Sequence, residues 1–96
     1  MNDSEFIILA DETLRQIELA LESCEADLDF SSTGTGILEI EFDDGDKIVI
    51  NRHGVNQEIW VAARVGGFHF RWDGQAWRET KNGSELMVIL SKLIFE

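Results

Sequence analysis

The chain has 96 residues, 44% of them hydrophobic, and a net charge of −11, which supplies one modest core and too little apolar material for two. Its charge is polarised: residues 1–46 hold fourteen acids against the single base Arg15, or −13, while residues 47–96 hold five acids and seven bases, or +2. Such a surface repels phosphate backbones and anionic membranes, so neither nucleic acid nor membrane is expected as a partner, and it attracts cations or basic protein surfaces.

From about Ser4 to Cys24, the residues Phe6, Ala10, Leu14, Ile17 and Leu21 recur at spacings of three and four, with Asp3 or Ser4 available as N-cap. That spacing predicts one amphipathic helix. At 100° per residue, Asp11, Glu18, Glu22 and Glu25 fall within about 40° of a common direction beside the apolar stripe, which makes one edge of the helix an acidic ridge. Like charges at this spacing destabilise a helix slightly, so the ridge gains nothing from its own element.

From Asp27 the period becomes two. Asp27 and Asp29 alternate with Leu28 and Phe30, as in a half-buried strand. After a turn at Gly34-Thr35-Gly36, Leu38, Ile40 and Phe42 alternate with Glu39 and Glu41; Asp43–Asp46 reads as a hairpin turn, and Lys47–Asn51 returns with Ile48 and Ile50 inward. A loop over Arg52–Asn56 leads to Glu58–Arg64, where Ile59, Val61 and Ala63 share a face. Gly66-Gly67 turns the chain again, Phe68, Phe70 and Trp72 point inward, and a last short strand lies near Trp77. Asn82-Gly83 ends the sheet, Ser84 caps, and Leu86, Met87, Leu90, Leu93 and Ile94 form the buried stripe of a second helix.

The succession predicts an α+β fold, a two-layer α-β sandwich with the N- and C-terminal helices packed on one face of a five- to six-stranded antiparallel sheet, in a single domain over 1–96. The opposite face stays wet and carries Glu39, Glu41, Val49, Asn51, Trp60, Ala62, Arg64, His69 and Arg71 by alternation.

Nucleophilic catalysis is poorly supplied. Cys24, the one cysteine, falls among acids that disfavour a thiolate. His53 is placed on a loop and His69 on the wet face, as surface residues rather than bases. There is no P-loop or dinucleotide turn, and the carboxylates all read as solvated, with none in an apolar pocket to split their pKa values. The chain is therefore expected to be a binding module rather than an enzyme. With no disulfide to form, and with a start, Met1-Asn2-Asp3-Ser4-Glu5-Phe6, that lacks the basic and apolar segments of a signal peptide, the expected location is a reducing cytoplasm.

Metal binding is better supplied. Glu18, Glu22, Glu25, Asp27 and Asp29 offer carboxylate oxygens where the helix ends and the first strand begins, and such ligands suit hard cations, held weakly and released quickly. The alternative is that the acidic edge keeps the domain soluble. Crowding five acids on one ridge raises self-repulsion, which favours compensation from outside the chain. The outward Trp60, beside Asn51, Arg52 and Arg64, has the composition of an interface hot spot; the alternative is a tryptophan partly covered by Arg64.

At this point the residues match a family. Met1–Phe6 with Leu9-Ala10-Asp11, then Asp27–Asp29, Lys47–Arg52, Gln57–Ala62 and Gly66–Phe70, resemble the segments of bacterial frataxins (CyaY proteins) in order over essentially the whole length. The resemblance implies the same sandwich and a role in iron–sulfur cluster biogenesis. It implies weak, reversible iron binding (Fe2+/Fe3+, with other hard cations able to substitute) and regulation of a cysteine desulfurase and scaffold complex. The family's acidic ridge corresponds here to Glu18, Glu22, Glu25, Asp27 and Asp29, with Asp11 and Asp3 further along. Its exposed tryptophan is Trp60 and its strand-end pair Asn51 and Arg52, with Glu18 and Glu22 also facing the partner. Leu19, Ser23 and Ile7 depart from the family pattern and leave a sparser ridge. A monomer is implied, with oligomers driven by metal. The other class weighed, a ferroxidase-like oxidation and storage protein, calls for Glu-x-x-His pairs that the sequence lacks.

Overall fold

The computed structural model describes residues 1–24, 27–33 and 35–95. Asn2 opens α1 (Asp3–Ser23) with a capping box: its Oδ1 accepts from the Glu5 backbone N–H at 2.8 Å, and Glu5 Oε1 accepts from the Asn2 N–H at 3.0 Å. The cap thus precedes both Asp3 and Ser4, because Asn2 is the residue with a glutamate three positions on. Phe6, Ala10, Leu14, Ile17 and Leu21 are buried, as their spacing requires.

Six strands follow: β1 (Leu28–Ser32), β2 (Ile37–Phe42), β3 (Lys47–His53), β4 (Glu58–Ala63), β5 (Gly66–Trp72) and β6 (Trp77–Glu79), with α2 (Leu86–Phe95) last. Each strand pairs antiparallel with the next, in the spatial order β1-β2-β3-β4-β5-β6, so the sheet is a plain meander, as expected of strands joined by short turns. Leu38, Ile40, Ile48, Ile50, Ile59, Val61 and Phe70 are all 3% exposed or less and form the floor of the core. The α1 stripe, Leu86 and Leu90 close over them. Trp77 ties helix to sheet: its ring meets Phe6 edge-on at 6.1 Å, and its Nε1–H donates to Thr13 Oγ1 at 2.9 Å. No helix among the described residues is long and apolar enough to cross a membrane.

Three expectations shift. The third strand runs through Arg52 to His53, so the loop shortens to residues 54–57 and His53 stands in the sheet, not on a loop. Helix α2 begins at Leu86, with Ser84 still engaged by its carbonyl to the Glu79 N–H (2.8 Å) and Glu85 supplying the first helical carbonyl to Ile89 (3.0 Å). Met87 is 49% exposed rather than buried. It lies on the rim of an open groove between the two helices, with Leu9, Gln16 and Trp72.

Arg52 follows Ile48 and Ile50 toward the helix side of the sheet, where its guanidinium pairs with Asp11 of α1. Gly36 makes room for it. With φ at +84°, a Cβ on Gly36 would stand 2.6 Å from the Arg52 side chain, so both backbone and space demand glycine. Gly36→Ala is expected to cost about 1 kcal/mol or more of stability, read from the urea midpoint, and to displace Arg52 from Asp11.

Candidate functional site

The acids expected to form one ridge are divided by the fold. Asp3, in the first turn of α1, accepts from Gln57 Nε2 at 3.2 Å, and Asp11 is held by Arg52. Glu18 is half-buried, pairs with Arg15 at 3.4 Å, and looks over the end of β1 and the turn at Ser32 and Gly36. Glu22 is exposed; Glu25 lies outside the described residues.

The strand acids sit differently. Leu28 and Phe30 pack on the core, so Asp29 between them faces away from the helices. It stands directly opposite Glu41 on β2. Asp27, Asp29, Glu41 and Asp43 line an open depression at that end of the sheet. Glu41 and Asp43 had no assigned role from the sequence; the strand register brings them in, and it could have been counted outward from the Asp43–Asp46 hairpin. Among the described residues no three His, Cys, Asp or Glu side chains converge on a point where they would hold a metal ion. What the strand acids supply is a facing carboxylate pair with two more acids at its rim, hard oxygen ligands without a closed cage. Nearby, Lys47 reaches Glu39 at 3.2 Å and Glu41 at 3.7 Å. The hydrogen bond and charge of Glu39, followed by the charge of Glu41, raise the lysine's pKa.

The centre of the wet face is aromatic. Trp60 on β4 is opposite Asn51 on β3 and His69 on β5. Its indole is sandwiched: the His53 ring lies 3.8 Å away at 8° and the His69 ring 4.3 Å away at 6°. Arg64 is not the covering group, since it pairs with Asp46. Arg52 is on the other side of the sheet, so of the expected trio only Trp60 and Asn51 share this face.

Beneath the stack is Glu58, 4% exposed, a correction to the expectation that every carboxylate is solvated. It accepts from Trp60 Nε1 at 2.8 Å and from Arg71 Nε at 2.8 Å, and His69 Nδ1 lies 3.8 Å off. Burial works to raise its pKa, but the hydrogen bonds from Trp60 and Arg71 and the charges of Arg71 and His69 outweigh burial and lower it. Alternation from Trp60 puts Glu58 on this face; only the packing of its three neighbours buries it, and single-sequence periodicity does not carry that. Cys24 is half-buried at the C-cap of α1, away from this site.

Residues 1–96 match the model of the frataxin-like domain. The chain belongs to the frataxin-like family. It is 59% identical over 93 residues to the iron-sulfur cluster assembly protein CyaY of Dechloromonas aromatica, a match covering 97% of this chain and 89% of the relative. The corresponding protein of Cupriavidus taiwanensis is 47% identical over 100 residues, covering 100% of this chain and 89% of that one. Among solved structures, the frataxin of Psychromonas ingrahamii superposes with a TM-score of 0.92 at 37% identity, covering 99% of this chain and 90% of its own. The trimeric frataxin of the yeast Saccharomyces cerevisiae, solved with ferrous iron, superposes at 0.69 with 28% identity, covering 91% and 86%. The two-layer sandwich expected from the sequence is therefore the family fold.

Because the carboxyl of Glu58 has a lower pKa folded than unfolded, the stability it lends is fully present above the ordinary carboxylate range. It is lost as pH falls through the folded-state value. Glu58→Gln, which removes the charge but not the shape, is expected to lower stability at pH 7 by about 1 kcal/mol and to flatten the acid side of the stability curve. Urea unfolding at about pH 7 and pH 4 checks both; an acid limb unchanged in slope would detach Glu58 from acid stability.

Proposed function

We propose that this protein binds iron weakly and serves iron–sulfur cluster assembly in the bacterial cytoplasm, docking on a cysteine desulfurase and its scaffold and regulating them, rather than catalysing a reaction. The observation that carries the reading is 59% identity over 93 residues to a relative named for that assembly role. The solved yeast relative held with ferrous iron supports the metal. The carboxylates of Asp27, Asp29, Glu41 and Asp43 support it chemically: oxygen ligands in pairs, open to water, suit a hard cation that is loaded and unloaded, with Glu18, Glu22 and Glu25 as further contributors on the helix side. Iron here is cargo. An oxidase would need a closed ligand set, and the open arrangement of the described acids favours the carrier over that alternative. The same reading takes 1–96 as one domain, monomeric until metal bridges carboxylates of neighbouring molecules.

Docking has two parts. The acidic half supplies long-range attraction to a basic surface, and the face around Trp60 and Asn51 supplies contact. Arg52 contributes indirectly, through Asp11 and the placing of α1.

Titrating labelled protein with ferrous iron, or with a redox-inert substitute, is expected to give dissociation constants of roughly micromolar or weaker that weaken further with salt. The perturbations should centre on Asp27, Asp29, Glu41 and Asp43. Asp29→Lys is expected to cut affinity about tenfold by replacing a ligand with a like charge; shifts that begin at His53, His69 or Cys24 would refute the carboxylate assignment.

For the partner, charge reversal at Glu18 and Glu22 is expected to slow association with a cysteine desulfurase and flatten its salt dependence. Trp60→Ala is expected to speed dissociation and cost about 2 kcal/mol, since it removes the stack's middle ring. Surface plasmon resonance separates the two rates, and unaltered affinity in a folded Trp60→Ala variant would remove this face from the docking surface.

A further inference from the structure

The two imidazoles of the stack meet different surroundings. His69 Nδ1 lies 3.8 Å from the Glu58 carboxylate, so a proton on it faces an opposite charge. His53 Nδ1 is buried and has no hydrogen-bond partner among the described residues. With the ring neutral and its proton on Nε2, that buried atom is a lone pair. A second proton turns it into an unpaired N–H on a cation, and a buried charged donor without an acceptor is among the costliest states a polar group can have. Among the described residues none places an acceptor within hydrogen-bond distance of His53 Nδ1; Glu58, opposite His53 in the strand register, is engaged by Trp60 and Arg71. The ring can find one only by leaving the indole and turning toward water.

Among the described residues the charged and titratable groups facing the stack are few. They are His53 from β3, Glu58 from β4, and His69 and Arg71 from β5, with Arg78 of β6 opposite Arg71. Met1 shares an open groove with Arg71 at the margin. Glu39, Glu41 and Lys47 pair among themselves farther along the face. Both helices lie on the other face, so no further group approaches from above.

We infer that docking on this face is controlled by a proton at His53: while the ring is neutral the His53–Trp60–His69 stack is closed and presents one rigid surface, and protonation swings His53 out, opens the stack and weakens docking. His69 stays on Trp60 throughout, held against Glu58. Histidine is the side chain whose ordinary charge change falls between about pH 5 and 8. The link to docking rests on the function proposed above; the opening of the stack does not.

The test has two arms. In the isolated protein, NMR follows the histidine rings from about pH 8 to pH 5. At the alkaline end both sets of ring protons, stacked on the indole at 3.8 and 4.3 Å, are expected upfield. His53 is expected to lose that displacement in step with its own protonation, and His69 to keep it. A His53 ring that is protonated and still stacked overturns the switch, as does a Trp60 indole resonance that moves with pH equally in wild type and in His53→Gln. In the second arm, affinity for a cysteine desulfurase is compared at pH 8 and pH 6. Wild type is expected to lose about threefold or more on acidification beyond the change seen with His53→Gln, whose own response reports the partner together with the other groups of this face, His69 among them. A stack that opens while wild type and His53→Gln respond alike overturns the control of docking. If Trp60→Ala is also silent at pH 8, the failure lies in the docking role itself rather than in the switch.

Discussion

A six-stranded meander has two faces, and this chain has apolar side chains for one of them. Ile40, Ile50, Ile59 and Phe70 are fully buried beneath the helices, while their sequence neighbours Glu39, Glu41, Asn51, Trp60, His69 and Arg71 face water. Everything functional in the molecule follows from that division. The helices are committed to the core, so the chain's chemistry has to be carried by the bare face, by the sheet's first edge and by the outer side of α1. A bare face also leaves a large ring such as Trp60 without a hydrophobic cover, and the chain supplies the cover itself from the strands on either side.

The charges are organised by the same division. Acids that face one another across β1 and β2 repel, and the exposed pair Asp29 and Glu41 is relieved only by solvent and by Lys47 beside Glu41. Elsewhere the chain answers its acids with bases: Asp11 with Arg52, Glu18 with Arg15, Asp46 with Arg64, Glu58 with Arg71, Asp73 with Arg78. Most of these pairs are surface contacts whose energetic weight is small. Their effect is on distribution. Carboxylates answered within the chain are poor cation ligands; at the β1–β2 end Lys47 reaches Glu41 only at 3.7 Å, and Asp27, Asp29 and Asp43 have no ion pair among the described residues, so these are the ones with oxygens to offer. Glu58 differs from all of them in being buried, where two hydrogen-bond donors and the charges of Arg71 and His69 outweigh burial and keep it an anion at neutral pH.

The fold was legible in the sequence wherever a period ran long enough. The α1 stripe is legible residue for residue, and so are the apolar inward residues of β2 through β5, because an uninterrupted spacing of three and four or of two leaves little choice. The N-cap was misplaced although Asn2 and Glu5 carry a capping box, the two readier candidates at Asp3 and Ser4 being nearer the first apolar residue. Met87 was misread because a short helix rich in apolar residues does not mark which edge of its stripe is covered. The site was legible in types and not in partnerships. The acids and Trp60 stood out by composition, but their neighbours depend on register. Ending the third strand at Asn51 instead of His53 removed the pairing of His53 with Glu58, and with it the stack. Arg52 went to the wrong face for the same reason: called part of a loop, it was exempt from the alternation that sends it to Asp11.

The covered indole changes what recognition at Trp60 can consist of. A free tryptophan offers a partner two broad apolar faces and an N–H, and it loses rotamer freedom when it is gripped. Here both faces are already against imidazoles and the Nε1–H is already on Glu58 at 2.8 Å. On the docking face proposed above, a partner would therefore meet ring edges, the Asn51 amide and the remaining guanidinium nitrogens of Arg71, in an arrangement that is fixed before contact. Pre-organisation of this kind trades contact area for a smaller ordering cost. It also makes the surface depend on its supports: a displaced His53 uncovers one face of the indole, and an emptied Glu58 position releases the Trp60 Nε1–H and the Arg71 and His69 contacts. Rigidity borrowed from neighbouring strands is thus the physical basis on which the proposed regulation of the face would work.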